Sequence, residues 1–374
     1  MERRFNRRLF INVDWPLALL VTAIVMLGIS TVNSATIGSG SNQASAIAVR
    51  QAAWAGMGAF LAILLHFVDY RKLERYAYVI YGGTLVLLAI VPILGVVGGG
   101  SRRWIDFGPF ALQPSEIIKI GLVIVLARFF HRDGGGQESF GFAGLVIPTV
   151  LFLVPGGLIM VQPDLGSAVL LGFIFVSLVM VAGLRLRTAL WVAGIGLLTL
   201  VIAGNALWGH LKPYQQKRIS TFLDPTADPL GAGYHIIQSE IAVGSGGTWG
   251  KGYRQGTQNQ LNFLPEQHTD FIFSVYAEER GFFGAVVLVG LYLTFCLRCL
   301  QVVSRAKDRF GALLAFGVGA MIFWQAVINM SMAMGLLPVV GITLPFFSYG
   351  GSSMISLLVG TGLVMNVSMR RYMF

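Results

Sequence analysis

The chain has 374 residues, of which 55% are hydrophobic and 12% charged, and its formal net charge is +10. The mean hydropathy of +0.72 excludes a soluble globular domain and indicates an integral membrane protein. Basic residues on the inner side of a membrane serve topology and contact with anionic lipid, and nothing in the sequence indicates nucleic-acid binding.

Apolar runs long enough to cross a bilayer recur along the whole chain. They predict an all-α integral membrane protein with about ten transmembrane helices. No cleavage site of small residues ends the first run, which is therefore an uncleaved anchor. Most Lys and Arg residues fall in loops that place both termini in the cytoplasm. The predicted spans are 15–33, 49–67, 76–97, 115–130, 143–160, 166–183, 188–208, 271–297, 310–331 and 350–368.

The fourth span begins within the polar segment SRRWIDFGPFALQPSEIIKIGL, which starts at Ser101. Pro114 stands near the helix start, and Glu116 and Lys119 share one face of the helix. Ionised side chains in a span are costly and usually functional. The sequence leaves two readings open: a pair that supports an active site, or an ion pair that only neutralises itself near the interface.

A second Gln-Pro sequence, VQPDLGSAVLL, predicts another helix start at Asp164. Two helix N-termini facing one outer cavity would favour an anion such as phosphate. Several basic residues also lie toward the outer side, against the positive-inside rule. They form either a solvated surface or an anion-binding cluster, and comprise Arg102, Arg103, Lys119, Lys212, Lys217, Arg218, Lys251 and Arg254.

Residues 209–269 form a long polar loop between the seventh and eighth spans, broken by Pro and Gly, with one amphipathic helix predicted near YHIIQSEIAV. We predict one transmembrane domain, 1–374, with this extracytoplasmic loop inside it. The stretch SGGTWGKG lacks the first glycine and the final Ser/Thr of a phosphate-binding loop, which excludes a nucleotide site there.

Asp270 stands where the eighth span begins, in HTDFIFSVYAEERGFFG. On a helix it shares a face with Ser274, Ala277 and Gly281, which predicts a groove of small side chains below the carboxylate.

Three further stretches follow the eighth span. Cys296 and Cys299 form an isolated C-x-x-C pair, for which a packing role is predicted. The small residues of FGVGA, from Phe316, are a candidate packing face for a partner helix. In GLLPVVGITLPFFSYGGSS the prolines and glycines break any continuous helix, so backbone amides and Ser348 line a polar cavity or form a structural re-entrant turn.

Five long segments resemble the signature segments of the SEDS family, the shape, elongation, division and sporulation proteins. They keep the family's order and cover nearly the whole chain, and elongation members are more similar than division members. The segments are RRWIDFGPFALQPSEIIK, QPDLGSA, DPLGAGYHIIQSEIAVGSGG, GKGYRQGTQNQLNFLPEQHTDFIFSVYAEERG and LPFFSYGGSS. Tyr276 and Arg280 depart from the residues common in the family, a difference that concerns local packing.

The resemblance implies a peptidoglycan glycosyltransferase that polymerises lipid II, the undecaprenyl-diphosphate-linked disaccharide pentapeptide. It implies a location in the bacterial cytoplasmic membrane, at whose outer face the enzyme acts during elongation and shape maintenance. The family's essential aspartate matches Asp270, and its functional RRWI and QPSEIIK segments supply Arg103, Trp104, Glu116 and Lys119.

Glycan extension needs a base for the acceptor hydroxyl and cationic groups for the departing diphosphate. Asp270 is the predicted base, and direct displacement inverts the anomeric centre. The groove of small residues below Asp270 is a candidate path for the lipid tail. Diphosphate is a good leaving group and needs no general acid. The predicted substrate-binding residues are Arg103, Trp104, Asp164, Arg218 and Ser348. No cofactor is assigned. A divalent cation bridging diphosphate and carboxylates fits the chemistry, although no dedicated ligand set is visible.

The resemblance also implies partners: a class B penicillin-binding protein, which is the cross-linking transpeptidase, and other membrane proteins of the elongation complex. The alternative function is a flippase or transporter for a lipid-linked sugar, since broken helices and intramembrane charges suit transport as well. A silent scaffold is the third reading. Polar groups gathered toward one face and the lack of an inverted repeat favour the polymerase.

Overall fold

The computed structural model describes residues 13–36, 41–98, 101–108, 111–133, 140–191, 194, 209, 213–224, 232–261, 263–264 and 266–371. The helices are α1 (Trp15–Ala35), α2 (Ser41–His66), α3 (Tyr70–Arg75), α4 (Ala77–Leu94), α5 (Pro114–Arg128), α6 (Phe142–Val161), α7 (Leu165–Val181), α8 (Pro213–Leu223), α9 (Ala232–Ser245), α10 (Thr257–Gln260), α11 (Ile272–Arg305), α12 (Arg309–Ala333) and α13 (Gly351–Arg370).

Within the described residues, seven helices are long and apolar enough to cross a membrane: α1, α2 over Ala46–His66, α4, α6, α11, α12 and α13. The apolar helix α7 is shorter, and α5 has 15 residues. Nine of the ten predicted spans therefore coincide with helices, which confirms a helical membrane protein. The remaining span, 188–208, lies mostly outside the described residues, so the count of ten stays a prediction.

A small antiparallel sheet stands where a purely helical chain was predicted. Its strands are β1 (Val96–Gly98), β2 (Ser101–Asp106) and β3 (Ala111–Leu112), in the order β1-β2-β3. Trp104 pairs with Val96 and Ile105 with Leu112. Helix α4 stops at Leu94 because glycines follow it and β-branched and aromatic residues, which favour strands, come next. The all-α class is wrong for this segment.

Helices α5 and α12 lie in the centre of the bundle, with side chains buried around most of their circumference. The predicted partner face at FGVGA is therefore wrong. A methyl group on Gly317 would lie 2.6 Å from Cγ1 of Val123 in α5, and one on Gly319 would lie 3.0 Å from Cβ of Cys299 in α11. These glycines let helices inside one chain approach closely. Cys299 is buried and is a free thiol, as the predicted packing role requires.

Helix α11 is interrupted at Gly281, which has a φ of 66° that favours glycine. The loop after α9 closes around this break. Lys251 N donates to the carbonyl of Glu278 at 3.0 Å, and Phe282 N donates to the carbonyl of Gly247 at 2.8 Å. This loop belongs to the segment 209–269 that is predicted to be extracytoplasmic and is called the outer loop below. Its backbone binds it to the broken helix.

The predicted lipid groove below Asp270 is filled by the chain itself. The Oγ atoms of Ser239 in α9 and Ser274 in α11 lie 2.6 Å apart. A methyl group on Gly246 would lie 2.2 Å from the carbonyl oxygen of Ala277. The small residues accommodate α9 and the loop that follows it, so the prediction of a lipid path on this face is wrong.

Candidate active site

Asp270 lies at the start of α11, as the sequence predicts, with Phe271 at the N-cap position. Its side chain is half-buried. The backbone before the helix is held by three hydrogen bonds: Tyr349 N donates to the carbonyl of His268 at 2.9 Å, the hydroxyl of Ser348 to that of Thr269 at 2.6 Å, and the amide of Asn329 to that of Asp270 at 2.8 Å. The carboxylate therefore projects from a fixed piece of chain.

Burial raises the pKa of Asp270 to about 6, and the negative charge of Glu266 acts in the same direction. The positive charges of Arg218 and Arg103 oppose this rise, and the charge of Asp164 adds to it. The predicted residues Arg103, Asp164 and Arg218 thus all act electrostatically on Asp270. Their influence indicates that these residues, distant in sequence, gather at one site.

Asp164 caps α7 and joins it to α5. Its carboxylate is buried and accepts hydrogen bonds from Ser167 N at 3.2 Å, from the Ser167 hydroxyl at 2.8 Å and from the Ser115 hydroxyl at 3.4 Å. The two Gln-Pro helix starts therefore do meet, as predicted. However, a carboxylate of the protein already occupies the N-terminus of α7, which leaves less of that terminus for a substrate anion.

Arg103 projects from β2 onto the turn that precedes α7. Its guanidinium group donates to the carbonyl of Gln162 at 3.3 Å and to that of Pro163, and it lies 3.9 Å from Asp164. Arg103 is half-buried. Its hydrogen bonds to the two carbonyl groups help to fix this turn. Trp104, the next residue in the strand, is half-buried, and its predicted contact with substrate stays a prediction.

Glu116 and Lys119 form a buried ion pair in the first turns of α5, with 2.7 Å between Oε1 and Nζ. Their side chains are 8% and 2% exposed, respectively, so each charge depends on the other. The second carboxylate oxygen, Oε2 of Glu116, has no hydrogen-bond partner in the described part of the chain. The geometry shows mutual neutralisation, and a catalytic role for the pair stays a prediction.

Ser348 is buried beside Asp270 and uses its hydroxyl within the protein. It accepts a hydrogen bond from Leu344 N at 2.8 Å and donates one to the carbonyl of Thr269. It lies in the non-helical segment 334–350 between α12 and α13, which is called the re-entrant turn below, and both of these hydrogen bonds are internal to the protein. Binding of substrate by Ser348 stays a prediction, whereas its support of the Asp270 segment is a structural fact.

Two buried carboxylates of α11 were missed in the sequence. Oε1 of Glu278 accepts hydrogen bonds from Lys251 Nζ at 2.6 Å and from Gln258 N at 3.1 Å. Glu279 accepts from Arg254 N at 3.2 Å and from the hydroxyl of Ser34. The signal was present, because two adjacent acidic residues in an apolar helix require partners. They hold the outer loop to the break in α11.

Gln51 of α2 was also missed. Its amide donates to the carbonyl of Ser348 at 2.8 Å, and its side-chain oxygen accepts from Gly350 N at 3.2 Å. Its side chain therefore makes two hydrogen bonds to the backbone of the re-entrant turn and connects that turn to α2. A single Gln in an apolar helix does not indicate that its hydrogen-bond partners lie in a segment far away in the sequence.

No group of three or more His, Cys, Asp or Glu side chains is arranged to hold a metal ion among the described residues. The negative charges of Asp164 and Glu266 both act on Asp270, and carboxylates are the ligands that hard divalent cations prefer. A cation bridging them to a diphosphate stays a prediction.

The model of a protein family described as cell cycle protein, which comprises FtsW, RodA and SpoVE, matches residues 12–373. The chain belongs to this family, the SEDS proteins. The peptidoglycan glycosyltransferase MrdB of Escherichia coli (strain K12) is 39% identical to this SEDS protein over 94% of the chain and 93% of its own length.

Two solved structures share the fold of this SEDS protein. A chain of a peptidoglycan synthase complex that coordinates polymerization and crosslinking has a TM-score of 0.81 and 38% identity, and the match covers 97% of this chain and 99% of that one. The rod shape determining protein RodA of Thermus thermophilus has a TM-score of 0.71 and 33% identity, and the match covers 97% of this chain and 98% of that one. The SEDS protein described here is a multi-pass protein of the inner membrane.

Proposed function

We propose that this protein is a peptidoglycan glycosyltransferase of the RodA type, which polymerises lipid II into glycan strands at the outer face of the cytoplasmic membrane during cell elongation. One observation carries the proposal: a half-buried aspartate on a fixed segment of backbone, with two arginines acting on its charge. The names of the similar proteins support the same reaction.

Asp270 acts as the general base. It accepts the proton of the acceptor sugar hydroxyl while that oxygen attacks the anomeric carbon of the donor, and the bond to the diphosphate breaks. The new glycosidic bond has inverted configuration because the displacement is direct. A pKa of about 6 makes the carboxylate more basic than an ordinary one and still leaves it largely ionised at neutral pH.

Arg218 and Arg103 bind the diphosphate. Guanidinium groups suit paired phosphate oxygens, and both arginines act on the charge of Asp270. Because Arg103 already donates to the carbonyls of Gln162 and Pro163, it contributes a pre-positioned charge. Arg218, on α8 in the outer loop, contributes a second positive charge. Trp104, Asp164 and Ser348 complete the proposed binding surface.

The topology is part of the proposal. Both termini lie in the cytoplasm, ten spans form one domain, and residues 209–269 form an outer loop. The proposed partner is a class B penicillin-binding protein, beside other membrane proteins of the elongation complex, and it contacts lipid-facing helices and the outer loop. A neighbour from a synthase complex with polymerization and crosslinking activities supports this pairing.

The test incubates purified protein with lipid II in the absence of any other synthase and measures glycan polymer. We expect polymer from the wild type and none from Asp270→Asn, which keeps the side chain's shape and removes its basicity. Expression and membrane insertion of the variant are measured alongside. Polymer from Asp270→Asn at the wild-type level would refute the assignment, and lipid II transfer across vesicles without polymer would establish the flippase instead.

A further inference from the structure

The backbone that carries Asp270 is held by side chains and amides from distant parts of the chain. Three consecutive carbonyl groups, those of residues 268–270, each accept one hydrogen bond from α12 or from the re-entrant turn before α13. Residues 268–270 precede the regular part of α11, so the helix itself does not fix them. Hydrogen bonds from α12 and from the re-entrant turn hold the backbone of residues 268–270 in place.

Asn329 makes the contact nearest to the carboxylate. It is fully buried near the C-terminal end of α12, and its Nδ2 atom donates to the carbonyl of Asp270 at 2.8 Å and to that of Ile342 at 2.7 Å. Two carbonyl acceptors require an NH₂ group, which leucine or aspartate cannot supply. One amide therefore joins the Asp270 segment to the re-entrant turn and anchors both to a central helix.

Gln51 supports the same turn from the opposite side. Its bonds to the carbonyl of Ser348 and to Gly350 N bind the turn to α2, and the hydroxyl of Tyr292 donates to the carbonyl of Pro345 at 2.5 Å. The turn is thereby fixed to three helices, α2, α11 and α12. These contacts hold the turn in place next to the segment that carries the Asp270 carboxylate.

We propose that Asn329 is a positioning residue for the glycosyl transfer: it sets the direction of the Asp270 carboxylate through the backbone, with Gln51 holding the turn behind it. This inference rests on the proposed role of Asp270 as base. A general base must lie within hydrogen-bond reach of the proton it removes. A small misplacement of the base lowers the rate of the chemical step more than it lowers the binding of lipid II.

The chain offers a matched control in α13. Asn366 is as deeply buried as Asn329, and its Nδ2 atom also donates to two carbonyl groups, those of Leu65 at 2.5 Å and Val68 at 2.7 Å, neither of which lies in the re-entrant turn. Asn329→Ala and Asn366→Ala therefore remove similar buried amides. They differ in whether the lost contact supports residue 270.

The experiment measures kcat and KM for lipid II polymerisation with purified full-length variants, together with their thermal stability. We expect Asn329→Ala to lower kcat by about tenfold or more while KM stays within about twofold. Its pH midpoint should also fall, because a released carboxylate gains water and loses the effect of burial. Asn366→Ala should leave kcat within about twofold of the wild type and the pH midpoint unchanged.

Equal kcat values and pH midpoints for the two alanine variants would overturn the inference. If Asn329→Ala does not fold, Gln51→Met decides in its place, since it frees the turn from α2: a lower kcat with unchanged KM supports the inference, and a wild-type kcat overturns it. Asp270→Asn is assayed in parallel. If Asp270→Asn is active, the proposed function is refuted. If Asp270→Asn is inactive but Asn329→Ala has the wild-type kcat, only the positioning role is refuted.

Discussion

The Nζ atom of Lys251 lies 2.6 Å from Oε1 of Glu278, whose side chain is completely buried. The lysine comes from the outer loop and the glutamate from α11. The same ammonium group also donates hydrogen bonds to the hydroxyl oxygens of Ser245, at 2.8 Å, and Thr257, at 2.9 Å. The attachment of the outer loop to the membrane domain thus depends on a charge pair.

Loss of Lys251 should destabilise the protein strongly, because it leaves the buried carboxylate of Glu278 without its counter-charge. We expect Lys251→Met to lower the free energy of unfolding by about 3 kcal/mol. The exposed Lys72 provides the control, and Lys72→Met should change it by less than about 0.5 kcal/mol. Thermal unfolding in detergent measures both. The double variant Lys251→Met with Glu278→Gln should recover part of the loss, and its failure to do so would argue against the pair.

Polymerisation by the wild type should depend on a single ionisation with a midpoint near pH 6. Asp270 must be deprotonated to act as base, and burial raises its pKa, so the rate rises with pH and levels off above the midpoint. Below it the rate should fall by about tenfold per pH unit. A pH profile of kcat/KM for lipid II, which reports the ionisation of the free enzyme, measures this. A flat profile between pH 5 and pH 8 would exclude Asp270 as the titrating base.

Two substitutions should move that midpoint in opposite directions. Arg218→Gln removes a positive charge that lowers the pKa of Asp270, so the midpoint should rise. Glu266→Gln removes a negative charge that raises the pKa, so the midpoint should fall. Profiles are measured at low ionic strength, because salt screens exposed charges. Arg218→Gln should also raise the Kd for lipid II. Shifts in the same direction for both variants would contradict the electrostatic account.

Glu116 and Lys119 should behave as a coupled pair. Glu116→Gln and Lys119→Met each leave one uncompensated buried charge, and the double variant leaves none. We expect a coupling energy of about 1–3 kcal/mol in a double-mutant cycle on stability, with polymer yield measured in parallel. Glu74 and Arg132, an ion pair at 3.2 Å whose Arg side chain is 62% exposed, should give less than about 1 kcal/mol. Additive losses at 116 and 119 would show independent roles.

The sequence predicted best what depends on local spacing. The i,i+3 rule gave the Glu116–Lys119 pair, and the change from polar loop to apolar helix placed Asp270 at the start of α11. The groove below Asp270 was misjudged because helical periodicity shows that small residues share a face but not which segment covers it. The same limit applies to Gly317 and Gly319, whose neighbours lie in α5 and α11.

Contacts between remote segments could not be predicted from one sequence. Gln51 meets Ser348 and Gly350 across nearly the entire chain, and Asn329 reaches Asp270 through the packing of α12. A single buried amide has no periodicity and no motif. The strands at 96–112 had a visible signal in the glycines beside them and in their β-branched and aromatic residues, but the apolar run before them favoured a longer helix.

The supports of residues 268–270 also set an order of events during biosynthesis. Asp270 leaves the ribosome before Asn329, Ser348 and Tyr349, the residues that hold its segment. A nascent chain that ends in α11 therefore contains Asp270 but not the groups that hold its segment. Helices α12 and α13 must follow α11 into the membrane before the carboxylate is in place, so the site is assembled only after both have been made.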